Sequence, residues 1–371
     1  MNHFRIRRWF FIVGALALLL VGASGCGGAR ATSWPGLTVL EEQVYVSDIE
    51  RLRVFDANDG EVVWSYPDEE GTQGLFHATP VVTDDLVIVP SHQSGGGLFS
   101  QPKNIVSALP RGGGDPVWTF EEAEGEYIEG GAVTQGTFVI GNSDGFIYAL
   151  DLEDGSLRWS FETGHRVWAT PLIDSGIVYI GAMDHHLYAL RLDDGSVVWD
   201  FEAGGAFAGM PRLSDGVLYL GAFDDRLYAV NAESGQEEWS YVGDEWFWGS
   251  PQVDGDVVYA ADVKGNVLAL DAGNGDEIWS KELESSVRGG VALSEDGDKL
   301  FVGTEAGTLY ALDSEDGTEI WSIENEGQML SHPVVSESTV YGTWILGNQR
   351  VLALREETGG EVWVFPPREA E

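Results

Sequence analysis

The stretch GNSDGFIYALDLEDGSLRWSF, residues 141–161, contains the unit from which most of the chain is built. It reads as a strand, a tight turn from Asp151 to Gly155, and a second strand that runs to Trp159. A glycine followed four residues later by a tryptophan occurs eight times, at Gly60/Trp64, Gly114/Trp118, Gly155/Trp159, Gly195/Trp199, Gly235/Trp239, Gly275/Trp279, Gly317/Trp321 and Gly359/Trp363. The tryptophans are 54, 41, 40, 40, 40, 42 and 42 residues apart, and such a period indicates a repeat architecture.

Each repeat contains four short apolar runs with the composition and length of β-strands. In residues 169–203 they are ATPLI, IVYIGA, LYAL and VVWDF, separated by turn-forming residues. Gly155 fits a turn position with positive φ, and the tryptophan offers a flat apolar surface that suits packing between neighbouring sheets. Eight four-stranded units predict an all-β, eight-bladed β-propeller of antiparallel blades. An open array of hairpins or a β-helix is the alternative.

The repeat resembles that of a known family. The pattern A-x-D-x-x-x-G-x-x-x-W, present at Ala149, Asp151, Gly155 and Trp159, is similar to the tryptophan-docking repeat of quinoprotein-like (PQQ-repeat) propellers. Similar matches begin at Ala229, Ala269 and Ala311. With its length and its N-terminus, the chain most resembles the BamB-type outer-membrane assembly lipoproteins. This resemblance implies the fold more strongly than the function, because one fold serves enzymes and scaffolds alike.

The N-terminus has the features of an export signal. Residues 9–23 are an uncharged apolar run after three arginines, which is too short for a comfortable transmembrane helix. Small residues then precede Cys26, the only cysteine, and resemble a lipobox; an ordinary signal peptide with an incidental cysteine is the alternative. Arg7 and Arg8 also resemble a twin-arginine signal. We therefore predict a lipoprotein signal at 1–25, a tether at 26–35, the propeller at 36–366 and a tail at 367–371, with the mature protein exported and lipid-anchored.

Blade 2 and the ends of the ring depart from the regular pattern. Residues 91–104, SHQSGGGLFSQPKN, predict a long loop where other blades have four or five residues, and it is either functional or a tolerated insertion. Each unit keeps its four strands contiguous in sequence. No offset strand is therefore predicted to close the ring, which departs from the BamB-type pattern.

One face of the predicted ring carries varied side chains. The segments from strand D to the next strand A, and the loops from B to C, fall on that face, whereas acidic Asp-Gly turns occupy the other. In the segments from strand D to the next strand A, the residues three positions before the proline, or before its equivalent, are His77, Gly130, Trp168, Ala208, Trp248, Arg288 and Leu330. The residues one position before these are Phe76, Glu129, Val167, Phe207, Phe247, Val287 and Met329.

An aromatic and cationic rim is therefore predicted around the channel, as a site for a partner or ligand. Packing of the tryptophans between blades is the alternative. The B–C loops place Met183, His185, Phe223, Arg226, Lys264 and Trp344 on the same face. The predicted rim residues are His77, Trp168, Phe207, Trp246, Trp248, Arg288, Met329, Met183, His185, Arg226 and Trp344. No metal site is expected, because His77, His165, His185 and His332 come from blades too far apart to converge within about 2 Å of one ion.

Composition narrows the partners. There are 61 acidic against 20 basic residues and a net charge of −41, which disfavours nucleic-acid binding because phosphates would be repelled. We expect a monomeric, non-catalytic, lipid-anchored propeller that binds an envelope protein or peptide segment. The alternatives are a dehydrogenase-like enzyme that uses pyrroloquinoline quinone, and a surface carbohydrate- or ligand-binding propeller. No cofactor is predicted, since the chain lacks the vicinal cysteine pair and the calcium-binding motif of those dehydrogenases.

Overall fold

The computed structural model describes residues 35–68, 74–93 and 103–367, all within one unit that spans Ser33–Glu371. Eight antiparallel sheets follow one another along the chain, and each takes its four main strands, A to D, from consecutive sequence. The prediction of an eight-bladed β-propeller is therefore confirmed. The predicted signal peptide, Cys26, most of the tether and the last four residues of the tail lie outside the described residues.

The four strands have regular bounds around the ring. Strands A are Leu37–Leu40, Val81–Val82, Ala132–Thr134, Leu172–Asp174, Arg212–Ser214, Gln252–Asp254, Val291–Leu293 and Val334–Ser336. Strands B are Gln43–Ser47, Leu86–Gln93, Thr137–Gly141, Ile177–Gly181, Val217–Gly221, Val257–Ala261, Lys299–Gly303 and Thr339–Thr343. Strands C are Leu52–Asp56, Lys103–Pro110, Phe146–Asp151, His186–Arg191, Arg226–Asn231, Asn266–Asp271, Thr308–Asp313 and Val351–Arg355. Strands D are Val62–Tyr66, Trp118–Phe120, Leu157–Glu162, Val197–Glu202, Glu237–Val242, Glu277–Glu282, Glu319–Glu324 and Glu361–Phe365.

The core lies between neighbouring blades. Strands B and C are buried on both faces, so their apolar residues run continuously instead of alternating with polar ones. One core cluster joins Val139 and Ile147 of blade 3 to Val178 and Ile180 of blade 4. Comparable clusters join the other neighbours, so each blade depends on the next to cover its apolar face.

The repeated tryptophan docks on the next blade. The Trp159 indole lies against Gly195, whose φ of 70° and missing side chain make room for it, and its Nε1–H donates to the Leu192 carbonyl at 2.7 Å. The same bond to the following blade is made by seven of the eight repeat tryptophans, namely Trp118, Trp159, Trp199, Trp239, Trp279, Trp321 and Trp363. The predicted packing of the tryptophan between blades is thus observed, and the glycine, predicted as a turn residue with positive φ, also provides the space for the tryptophan ring.

Ring closure uses this same contact. Trp363 of blade 8 lies against Gly60 of blade 1 and donates to the Ala57 carbonyl at 2.8 Å. Asp48, which is almost fully buried, also accepts from Arg350 of blade 8 at 2.9 Å and from Arg53 at 2.6 Å. No offset strand joins blades 1 and 8 within the described ranges, as the contiguous repeats predicted.

Blade 2 is the irregular member. Trp64 of blade 1 rests against Gly113 of blade 2, and the buried Trp64 Nε1–H has no hydrogen-bond partner among the described residues. A short extra strand, Gly74–Leu75, pairs with the far end of strand B. The prediction of a loop over 91–104 is partly wrong, because Ser91–Gln93 and Lys103–Asn104 pair with each other as extensions of strands B and C. Residues 94–102 lie outside the described residues.

Candidate functional site

Four of the predicted rim residues come together in one cluster. Trp246, 44% exposed, stacks on Phe223 with ring centroids 5.1 Å apart and planes at 15°. Phe223 in turn packs against Trp248 at 4.9 Å. Trp248 also stacks with Trp168 at 6.4 Å and 25°, and the Arg288 guanidinium lies 5.3 Å from the Trp248 ring centre. We call these five residues the aromatic stack.

The fold explains why residues so far apart in sequence meet there. Phe223 is on the B–C loop of blade 5, and the other four precede strands A of blades 4, 6 and 7, so all lie on the same face of the ring. The Trp168 Nε1–H donates to the Ser143 hydroxyl at 3.1 Å, and Arg288 forms an ion pair with Glu305. These bonds fix the two ends of the cluster and leave Trp246 outermost.

The aromatic stack presents flat apolar surface together with a guanidinium group. Such a surface can bind an aromatic or aliphatic side chain, or a sugar ring, by stacking. Trp248 and Arg288 also line the central channel, so the stack runs from the channel mouth outward over blade 5. Phe223, which the sequence also placed on this face, occupies the same B–C loop as Arg226.

Three predicted rim residues are buried instead, and for them the prediction of an exposed rim is wrong. Phe207, Met329 and Trp344 are each at most 1% exposed. The Phe207 ring packs edge-on against Tyr228, and Met329 belongs to a core cluster that also contains Trp344. The Trp344 Nε1–H donates to the Gly307 carbonyl at 2.8 Å, which turns this B–C loop inward.

The remaining predicted residues lie apart from the aromatic stack. His77 is partly buried, and its Nδ1 has no hydrogen-bond partner among the described residues. Burial together with His92 lowers the pKa of His77 to about 4. His185 is exposed with a positive φ of 74°, and Met183 is partly exposed. Arg226 donates to the Ser240 hydroxyl at 2.9 Å and so points toward strand D of its own blade. None of these contacts involves the stack.

The alignment of blade 3 is shifted by two residues from the one expected. The Ser143 N–H donates to the Glu126 carbonyl just as the Met183 N–H donates to the Arg166 carbonyl one blade later. Ile128 therefore occupies the place expected for Gly130, and Tyr127 the place expected for Glu129. Gly131 replaces the proline that marks most of these segments, so the sequence offered no register mark there. The consequence is that Glu129 lies on the channel wall.

The channel encloses a cavity of about 180 Å³ beside the aromatic stack. Segments from all eight blades line it, mostly through glycine, alanine, serine and threonine. Besides Arg288, which is paired with Glu305, three titratable side chains among the described residues line this wall: Glu129, Arg212 and His332. A cavity of this size admits water or a small molecule.

The three groups have perturbed pKa values because the channel wall desolvates them. Burial raises the pKa of Glu129 to about 7. Burial and the nearby Arg212 charge lower the pKa of His332 to about 4, and burial lowers the pKa of Arg212. The Arg212 Nε–H donates to the Pro251 carbonyl at 3.3 Å, and no described acidic side chain pairs with Arg212. At neutral pH the wall thus carries the Arg212 cation without a described acidic partner, the Arg288 cation paired with Glu305, a neutral His332 imidazole and a partly protonated Glu129 carboxyl group.

Replacing Glu129 by glutamine is expected to stabilise the protein at about pH 8 by about 1 kcal/mol, with little effect at about pH 4.5. The folded-state pKa is raised, so the proton binds more tightly in the folded state. That stabilisation is complete below the ordinary value of 4.5 and is lost as the pH rises through about 7. The figure is modest because the Glu129 side chain is only partly buried by its solvent-accessible surface.

Denaturant unfolding of both proteins across this pH range measures the difference in unfolding free energy. Glu153→Gln, at an exposed turn, is the control for removal of one negative charge. An equal pH-dependent gain in that control would show that burial of Glu129 is not the cause.

No group of three or more His, Cys, Asp or Glu side chains that could hold a metal ion occurs in the described part of the chain. Within the same ranges, no helix is long and apolar enough to cross a membrane.

Four segments match the family model described as outer membrane protein assembly factor BamB, over residues 22–101, 102–206, 189–286 and 263–371. Among curated proteins, the chain is 28% identical over 159 residues to outer membrane protein assembly factor BamB of Moranella endobia (strain PCIT), covering 38% of the chain and 37% of the relative. It is 26% identical over 145 residues to a quinohemoprotein alcohol dehydrogenase of Comamonas testosteroni, covering 36% and 19%. It is 31% identical over 149 residues to the serine/threonine-protein kinase AfsK of Streptomyces griseus, covering 38% and 17%. The chain thus spans well under half the length of each of these relatives.

Solved structures share the fold. BamB from Moraxella catarrhalis superposes with a TM-score of 0.70 at 18% identity, over 85% of this chain and 94% of that one. The computationally designed protein Ika8 gives 0.73 at 17% identity, over 87% and 96%. Quinohemoprotein alcohol dehydrogenase ADHIIG from Pseudomonas putida HK5 gives 0.67 at 14% identity, over 85% and 69%. At these identities the likeness concerns the fold alone.

Proposed function

The chain belongs to the family of the outer membrane protein assembly factor BamB, and from this premise we propose that it is a non-catalytic scaffold of the cell envelope. In this proposal the protein is exported, anchored through lipid on Cys26, and binds an envelope protein through the rim of its propeller. Outer-membrane protein assembly is the process in which it would take part.

The observation that carries the proposal is the aromatic stack. Binding energy at protein interfaces concentrates in a few tryptophan, tyrosine and arginine side chains near the centre of the contact. Trp246 is exposed, and its ring is already stacked on Phe223. The Trp246 side chain would therefore lose little conformational entropy when a partner binds. Contacts of Trp248 with Trp168, Phe223 and Arg288 restrict its motion.

Charge defines the partner further. The protein has a net charge of −41, and long-range attraction would favour a segment with basic residues. The partner segment that fits therefore presents an apolar or aromatic side chain flanked by lysine or arginine. A nucleic acid does not fit this surface, because the negative charge of the protein would repel its phosphates.

A quinoprotein enzyme is the second candidate, since a dehydrogenase is among the relatives. The channel wall does not fit a calcium-held quinone. Glu129 is the one carboxylate among the described residues that line the cavity. A calcium site takes six to eight oxygen ligands, of which carboxylates usually supply several. The scaffold proposal therefore fits the channel better than this alternative.

Cross-linking in the native envelope, followed by capture and mass spectrometry, tests the proposal. Recovery of an outer-membrane assembly protein cross-linked next to Trp246 or Arg288 is the expected result. Cross-links that map only to the acidic face of the Asp-Gly turns would contradict it. Capture of glycan instead of protein at Trp246 would replace it with the carbohydrate-binding alternative.

A further inference from the structure

We propose that the channel cavity is a binding site for a small zwitterion of the α-amino-acid class, with Arg212 holding the carboxylate and Glu129 the ammonium group. The proposal concerns the cavity and not the exposed surface of the aromatic stack. It does not rest on the proposed partner, although Trp248 and Arg288 border both the cavity and the stack.

The first argument is the position of the Arg212 charge. Arg212 begins strand A of blade 5 and lines the cavity, and its one side-chain hydrogen bond to a described residue goes from Nε to the Pro251 carbonyl at 3.3 Å. Burying a cation without a counter-ion is costly, so such a group is normally paired. In a protein with 61 acidic residues, the lack of a described acidic partner leaves the outer guanidinium nitrogens free for a ligand.

The second argument is the matching acid. Glu129 lies on the same wall, at the place where other blades have Ala169, Gly209 and Gly249. Its side chain therefore enters space that the other blades leave to small residues. Its carboxyl group makes no ion pair within the described ranges. A bound ammonium group would supply the missing charge and keep the carboxylate ionised.

The third argument is size and lining. An enclosed space of about 180 Å³ is close to the roughly 150 Å³ cavity known to hold one benzene molecule, so the ligand has few heavy atoms. Met210 and Leu330 add apolar surface between the polar groups. His332, next to Arg212, keeps a neutral ring whose nitrogens can also bond a carboxylate. A charged group at each end and a short apolar body describe a small amino acid.

Titration calorimetry of the full-length protein with L-alanine, propionate and n-propylamine tests the proposal. L-Alanine is expected to bind about tenfold or more tightly than either single-charge analogue, because each of those leaves one buried group unpaired. Arg212→Gln is expected to abolish binding of alanine and of propionate. Glu129→Gln is expected to reduce alanine binding about tenfold while leaving propionate unchanged.

Controls keep the outcome interpretable. Arg212→Lys retains the charge and is expected to restore part of the binding if Arg212→Gln unfolds the protein. Trp246→Ala, outside the cavity, is expected to leave alanine binding unchanged, which separates this site from the partner site. Equal affinity for propionate and alanine would overturn the zwitterion proposal. The same holds if no binding is detected up to about 10 mM, an affinity too weak to be specific.

Discussion

Replacing Gly60 by alanine is expected to lower the free energy of unfolding by about 3 kcal/mol. Gly60 has a φ of 72°, a conformation that an L-residue adopts only with strain. An added Cβ would also stand 2.6 Å from the Trp363 ring, too close for any carbon–carbon contact. Trp363 would have to move, and its hydrogen bond to the Ala57 carbonyl would be lost.

Gly176→Ala is the matched control for this prediction. Gly176 has a similar φ of 78°, but nothing lies within 4 Å of its added Cβ. Gly176→Ala is expected to lower the free energy of unfolding by about 1 kcal/mol, which corresponds to backbone strain alone. Denaturant unfolding of both variants measures the difference. Equal losses would mean that the tryptophan contact contributes little to closing the ring.

The position of Gly60 makes this test informative for the whole ring. With no offset strand among the described residues to join blades 1 and 8, the ends meet through Trp363, the Asp48 ion pairs and a shared apolar cluster. The cluster includes Val44, Phe55 and Val351. Side-chain packing therefore takes the role that strand pairing would otherwise have.

Replacing Trp246 by alanine is expected to weaken partner binding about thirtyfold, equivalent to about 2 kcal/mol. Trp246 is 44% exposed, and its ring stacks on Phe223. Removal of the Trp246 ring therefore takes away binding surface with little effect on the core. The folded protein should therefore keep its thermal stability. Binding of the cross-linked partner, once identified, is measured by surface plasmon resonance or calorimetry.

Val117→Ala is the control for loss of exposed apolar surface. Val117 is 58% exposed and lies immediately before strand D of blade 2, on the opposite face of the ring. It should leave affinity unchanged. If the Trp246 variant binds as the parent does while the partner still cross-links to the rim, the aromatic stack is not the centre of that interface.

The sequence alone predicted the architecture, because the features that specify it are local. Gly195 needs only its own backbone conformation to mark a turn, and Trp159 stands at a fixed distance along the chain from its own turn. This glycine-to-tryptophan spacing occurs eight times in the sequence. Strands that are buried on both faces also appear in the sequence as continuous apolar runs. The face that carries Trp168, Trp246, Trp248 and Arg288 also followed from strand alternation alone.

The tertiary structure decided which side chains on that face are available. Phe207 and Trp246 were equally plausible rim residues, yet Phe207 turns into the gap between blades while Trp246 turns outward onto Phe223. Glu129 reached the channel wall only because Tyr127 took the apolar place in blade 3. The direction of a side chain at these junctions depends on the neighbouring blade, which comes from residues about forty positions away. Local pattern does not contain that packing, and so the site, unlike the fold, required the assembled ring.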